Sequence, residues 1–289
     1  MNKLSRRQFF GMSALGAGSL LMAGKLPAFA APALSSKPVR LPLGFQVWTI
    51  REMLAKDFPG TLKMMASLGY QTVEMCSPPG YESLGFAPLV KMKGSEMKRI
   101  ITESGLKLES THYGMDELRN HLSERIDFAL ESGQKQMILS SFGLPEKASL
   151  NDWLGAADEL NGIGMKTKKA GLQLGYHNHH MEFEKIGETL IYDALMNQFD
   201  PNYIRMQFQV AVISIGYKAV DYFKKYPGRF ISAHLADWLP KTDKNVAMGT
   251  GIVDWKELFD AAGIAGLKNV FVEMDLDTFR ESAEYYRKL

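Results

Sequence analysis

LGYHNHHMEF (174–183) places three of the chain's six histidines within four consecutive positions, beside Glu182 and directly after a short apolar run. The run extends back to Leu172, and LQLGYH (172–177) has the length and composition of a buried strand. Ala170-Gly171-Leu172 precedes it, with glycine following a helical pattern as a left-handed C-terminal cap would require. The reading at this point is therefore helix, stop, strand, then polar residues. The same order recurs along the chain. Strand candidates are LGFQVW (43–48), YQTVEMC (70–76), LKLESTH (106–112), KQMILSS (135–141), LQLGYH (172–177), IRMQFQV (204–210), RFISAHL (229–235) and NVFVEMD (269–275). Each is followed by a segment long enough for a helix. Gly69, Gly105 and Gly133 repeat the stop seen at Gly171, and Asp254-Trp255-Lys256-Glu257 has the shape of a helix start with Asp254 as cap. Eight strand–helix units over about 240 residues predict a single closed (β/α)₈ TIM barrel, α/β in class, over 43–289. No glycine-rich dinucleotide fingerprint follows the first strand, which argues against an open doubly wound sheet. Met248-Gly249-Thr250-Gly251 lies after the seventh strand and reads as a flexible active-site loop.

Residues 1–30 have the three parts of an export signal: Lys3, Arg6 and Arg7, an apolar segment from Phe9 to Gly24, and Ala28-Phe29-Ala30 as a cleavage site. Ser5-Arg6-Arg7-Gln8-Phe9-Phe10 resembles the twin-arginine signal, so transport by that machinery, cleavage near Ala30 and a periplasmic or otherwise exported location are expected. Residues 31–42 read as a linker. The apolar segment is too short for a stable membrane anchor, and no cysteine follows it for lipid attachment. Removing residues 1–30 takes four of the 34 basic residues and no acid, leaving 30 against 32. A slightly acidic mature chain lacks the footprint of a nucleic-acid binder. Cys76 is the only cysteine, so no disulfide can form within the chain.

In such a barrel, chemistry collects where strands end. The candidates there are Gln46 and Trp48 on strand one, Glu74 on strand two, His112 on strand three, and His177 and His179 on strand five with Glu182 beyond. Gln209 follows on strand six, His234 and Asp237 on strand seven, and Glu273 and Asp275 on strand eight. Only His121 falls in a helical segment, as a surface residue. Imidazoles and carboxylates converging from several strands suit a divalent cation. By alternation His177 and His179 face the axis together, and His180 points away.

Val73-Glu74, Tyr176-His177-Asn178-His179 with Glu182-Phe183, Tyr226 to Phe230 running into His234-Leu235-Ala236-Asp237, Gly249-Thr250-Gly251 with Val253-Asp254-Trp255, and Val272 to Asp275 together resemble the xylose isomerase-like TIM-barrel superfamily, in particular its sugar phosphate isomerase/epimerase group. The resemblance covers essentially all of 43–289. It implies one divalent metal ion (Mn, Zn, Co or Mg) held by His177, Gln209, His234 and Glu273, with Glu182 as the alternative to His177. Relatives usually have aspartate where Gln209 stands, and many have lysine at Ala236. A neutral amide ligand leaves the cation more Lewis-acidic and more weakly held.

The expected reaction is metal-dependent isomerisation or epimerisation of a small carbohydrate through an enediolate, with Glu74, His112 and Glu273 as catalytic candidates. Gln46, Trp48, His179, Asp237 and Asp275 are expected to contact the sugar. With no Lys/Arg cluster at the strand ends, an unphosphorylated keto-sugar or sugar derivative is favoured. A lyase or dehydratase on a keto-sugar or keto-glycoside is the runner-up, and a non-catalytic sugar-binding barrel is the alternative of another class.

Overall fold

A computed structural model describes residues 40–289. The expected export signal and most of the expected 31–42 linker lie outside the described residues. All eight strands form where the pattern placed them: β1 (Leu43–Gln46), β2 (Thr72–Cys76), β3 (Lys107–Gly114), β4 (Gln136–Ser141), β5 (Gln173–His177), β6 (Ile204–Gln209), β7 (Phe230–Leu235) and β8 (Asn269–Val272). They close a parallel barrel in sequential order, β1 pairing with both β2 and β8. The residues of β1, β2 and β8 are buried throughout, as expected of parallel strands covered on both faces.

The outer layer holds α1 (Arg51–Lys56), α2 (Phe58–Ser67), α3 (Gly94–Glu103), α4 (Met115–Asn120), α5 (Leu122–Ser132), α6 (Leu150–Lys169), α7 (Ile191–Gln198), α8 (Ala219–Lys225), α9 (Trp255–Ala265) and α10 (Phe279–Tyr286). The four stop glycines are left-handed as read, with φ of 100°, 84°, 77° and 85° at Gly69, Gly105, Gly133 and Gly171. Asp254 caps α9, accepting from Glu257 N at 2.9 Å. His121 lies exposed in the break between α4 and α5 rather than within a helix.

The β1/β8 seam is tied shut by α10. Tyr70 Oη donates to Phe279 O at 3.0 Å and Tyr286 Oη to Leu41 O at 2.6 Å, while Phe45, Tyr70 and Phe279 pack edge to face. The two hydrogen bonds join residues over two hundred positions apart, tying the last helix to the start of the barrel. Two short antiparallel ribbons, Lys185–Ile186 with Thr189–Leu190 and Asp237–Leu239 with Lys244–Val246, decorate the loops after β5 and β7. No helix among the described residues is long and apolar enough to cross a membrane.

Candidate active site

Five strands deliver the polar centre. Register sets Gln207 beside His177 and Ser232, and Gln209 beside His234, so inward positions of β5, β6 and β7 share adjacent layers. A register shift at Val73/Glu74 brings Ser110 opposite Glu74. Ring nitrogens of His112, His177 and His234 lie within 4.8 Å of one another, all buried. His112 stacks on His234 with centroids 5.2 Å apart, and His177 lies 4.4 Å from His234. The rings of His177 and His179 meet edge-on at 4.7 Å, as shared parity requires.

Carboxylates bracket His234. Its Nε2 lies 2.5 Å from Glu74 Oε1 and its Nδ1 lies 2.9 Å from Glu273 Oε2. Burial alone would lower the His234 pKa, but Glu273 and Glu74 outweigh it and raise it to about 10. Burial pushes both carboxyls up, yet the neighbouring imidazoles prevail and hold Glu74 and Glu273 below the usual carboxylate range. His177 is held well below the ordinary histidine range by burial and by the imidazoles around it. Burial likewise takes His179 down to about 4.

This ion pairing has a signed pH consequence in the metal-free protein. A raised histidine pKa contributes stability that is fully present below its unfolded value of about 6.5 and is lost as pH rises toward the folded value. The gap in unfolding free energy between wild type and His234→Gln should therefore narrow from pH 6.5 toward 10. Urea titrations at several pH values measure it, and a widening gap would contradict the pairing.

A cavity of about 470 Å³ opens above these groups, lined by Gln46, Trp48, Tyr81, His112, His177, His179, Gln209, Glu273 and Asp275 among others, with no Lys or Arg on its wall. Its size is ordinary for a small-molecule site. Gln209 donates from Nε2 to Glu273 Oε2 at 2.8 Å and accepts from Ala211 N at 3.2 Å. Trp48 meets Tyr81 edge-on at 6.0 Å and carries Arg51 4.4 Å from its ring centroid. His180, expected to point away, sits exposed on the rim with Nε2 3.1 Å from Ser214 Oγ.

Three expected site residues take other roles. Glu74 is fully buried and absent from the cavity wall. It lies beneath the imidazoles as a shared acceptor, 3.0 Å from His112 Nε2, and also accepts from Ser110 and Gln207. It is a positioning residue rather than a base in contact with substrate. Glu182 spends its carboxylate on Tyr176 Oη at 2.5 Å and His179 N at 2.7 Å, which orients the strand-five loop and leaves no oxygen directed at a metal.

Asp237 is fully buried and accepts from the backbone N–H groups of Trp238, Gly249, Gly251 and Val253 and from Trp255 Nε1, at 2.9–3.1 Å. Instead of meeting a sugar, it fastens the Gly249–Gly251 loop that sequence suggested was flexible. An added Cβ at Gly251 would lie 2.2 Å from Asp237 Oδ1, so glycine there permits the approach. Asp237→Ala should cost about 1–3 kcal/mol for each buried donor that water cannot reach. Limited proteolysis within 247–253 and the melting temperature report it, and unchanged digestion would show that the loop is held by other means.

Sequence reasoning passed over Gln207, which links His112, Glu74 and Ser232 at 2.7–2.9 Å. It also missed Tyr81, Ser140 and Ser141, which line the cavity. Gln207 was legible by parity, two residues before Gln209. Ser140 and Ser141 end β4 without an ionisable group, and Tyr81 lies in the loop after β2.

The donor set suits a divalent cation. Nδ1 of His177 and of His179 are buried without a hydrogen-bond partner, and the buried carboxylates sit beside imidazoles rather than beside Lys or Arg. Imidazoles and carboxylates gather at the C-terminal mouth of a (β/α)₈ barrel, the face where barrel enzymes carry their active sites. The chain belongs to the xylose isomerase-like TIM barrel family, whose sequence model matches residues 62–289.

An inosose dehydratase of Clostridium perfringens is 28% identical over 136 residues, 42% of this chain and 45% of the dehydratase. The chain thus spans under half the length of the curated relative it matches. A sugar phosphate isomerase/epimerase from Parabacteroides distasonis superposes with a TM-score of 0.71 at 23% identity, covering 90% of this chain and 97% of that one. A probable 3-DHS dehydratase from Bacillus anthracis superposes with a TM-score of 0.67 at 9% identity, covering 86% and 99%. At these identities the two structures show the fold alone. Isomerases, epimerases and dehydratases all occur in the superfamily.

Proposed function

We propose that this chain is a metal-dependent isomerase or epimerase of an unphosphorylated keto-sugar, acting through an enediolate, and that it works after export. The observation that carries the reading is the convergence of three imidazoles within 4.8 Å beside Glu273, beneath a cavity with no Lys or Arg to hold a phosphate. His177, His234 and Glu273, with the Gln209 amide oxygen, would hold the ion. When bound, a divalent cation supplies Lewis acidity to a carbonyl and its neighbouring hydroxyl.

The protein's own groups then divide the remaining work. Glu273, on the cavity wall, accepts the proton from the carbon next to the carbonyl, so that the C–H electron pair forms the enediolate. Returning that proton to the former carbonyl carbon, while the hydroxyl proton passes to the former carbonyl oxygen, gives isomerisation, and returning a proton to the opposite face of the same carbon gives epimerisation. His112 lies on the same wall to relay it. Glu74 and Gln207 fix the orientations of His112 and His234, while the Trp48–Tyr81 pair offers an aromatic flank for a sugar ring.

β-Elimination from the same enediolate is the second reading, favoured by the similarity to the inosose dehydratase. Incubating metal-supplemented protein with keto-sugars in D₂O and following products by NMR separates the two. Isomerisation conserves mass and installs deuterium at the reacting carbon, whereas elimination releases water or an alcohol. Turnover without any exchange would remove the enediolate from consideration.

A further inference from the structure

Beside the active-site cavity lies a second cavity of about 580 Å³ over the ends of β3 and β4, and Ser140 and Ser141 line both. The divide between them is narrow. Tyr81, on the wall of the first, donates from Oη to Ser140 Oγ at 2.6 Å, and Ser140 in turn donates to Tyr113 O at 3.2 Å.

The wall of the second cavity holds hydrogen-bonding capacity that the chain does not use. Glu117 is 7% exposed, and both of its carboxylate oxygens are buried without a hydrogen-bond partner. Arg125 Nε is likewise unpartnered, 3.6 Å from Glu117 Oε1, and its side chain is 13% exposed. Burial raises the Glu117 pKa to about 7, outweighing the lowering influence of Ser77, Arg125, His121 and the Gly80 backbone N–H. A buried polar group left unmatched is costly, so such a pair at a cavity wall marks a place where a ligand completes the bonding.

Charge indicates what kind of ligand. Asp116 and Glu117 match Arg119 and Arg125, and Arg119 is already engaged by both carboxylate oxygens of Glu159 at 2.8 Å. With no surplus cation, the lining does not select an anion. Donors and acceptors in balance, with Asn120 and Ser141 beside them, fit a neutral ring rich in hydroxyl groups.

We infer that the second cavity is a subsite for the second unit of a glycoside, so that the substrate spans both cavities across Ser140 and Ser141. The inference rests on the proposed keto-sugar reaction for the identity of the first unit, and the binding test below does not depend on that reaction.

Two variants probe the subsite. Arg125→Met removes the guanidinium. Gly114→Phe fills the cavity, since Gly114 lines it, has an ordinary φ of −81° and would have nothing within 4 Å of an added Cβ. Equilibrium binding of cellobiose, maltose and sucrose, each against glucose, is measured on the full chain by calorimetry. Wild type is expected to bind at least one disaccharide about tenfold or more tightly than glucose, and both variants to lose that preference while keeping glucose affinity. Equal affinities in wild type, or a preference unchanged in Gly114→Phe, would overturn the subsite. A disaccharide preference that survives while no keto-sugar exchanges a proton would strike the proposed reaction instead.

Discussion

Glu273→Gln is expected to leave a folded protein that still binds sugar but whose kcat has fallen by about 10²–10⁴-fold, the usual contribution of a positioned acid or base. The substitution keeps the shape and an oxygen able to accept from His234 Nδ1 or Gln209 Nε2, which now share Glu273 Oε2 at 2.9 and 2.8 Å. It removes the one property those contacts preserve. Burial works against the charge of Glu273, yet the His234 imidazole keeps the carboxyl below the usual range, so the wild-type group is ionised and ready to take a proton. An amide is not. The expected signature is a fall in kcat with KM little changed, together with loss of deuterium exchange at the reacting carbon. Retention of kcat within a few-fold would move the base to His112, the neighbouring ionisable group on the wall.

Glu74→Ala is expected to act mainly on the fold. Glu74 is wholly buried and accepts from His112, His234, Gln207 and Ser110, so its removal strands four donors on three strands at once. Breaking a buried charge pair from one side costs about 3–5 kcal/mol. In a domain of this size that corresponds to a drop of roughly 6–20 °C in melting temperature. Glu74→Gln retains an acceptor and a similar volume, and should lose less than half as much. Calorimetry of the metal-free protein compares them directly, and equal, small losses in both variants would mean that the imidazoles find other partners.

The fold was legible because four strands, β2 to β5, are announced twice, once by their own composition and once by the glycine before them, while composition and spacing carry the other four. Gly171 and Leu172–His177 illustrate this, and the barrel keeps both features. Strand alternation also placed His177 and His179 correctly, because period two decides which face a side chain takes. What alternation does not carry is depth. Glu74 and Glu273 both face inward from strand ends, yet one is the floor beneath the imidazoles and the other is wall.

Position just past a strand is equally ambiguous. Asp237 folds back to gather backbone donors, while Asp275, similarly placed after β8, stays exposed on the cavity rim. The gathering of His112 with His177 and His234 comes from barrel closure across strands that are not neighbours, and spacing along the chain contains no such distance.

Gln207 carries a consequence of its own. Its Nε2 faces two acceptors, Glu74 Oε2 at 2.7 Å and Ser232 Oγ at 2.9 Å, which obliges its oxygen to be the atom 2.7 Å from His112 Nε2. The nearest Glu74 oxygen to that same nitrogen is also an acceptor. His112 Nε2 must therefore hold its hydrogen, and the lone pair of the neutral ring is confined to Nδ1. A buried amide thus acts as a tautomer lock, deciding which nitrogen of a histidine three strands away is free to serve as a base or a ligand.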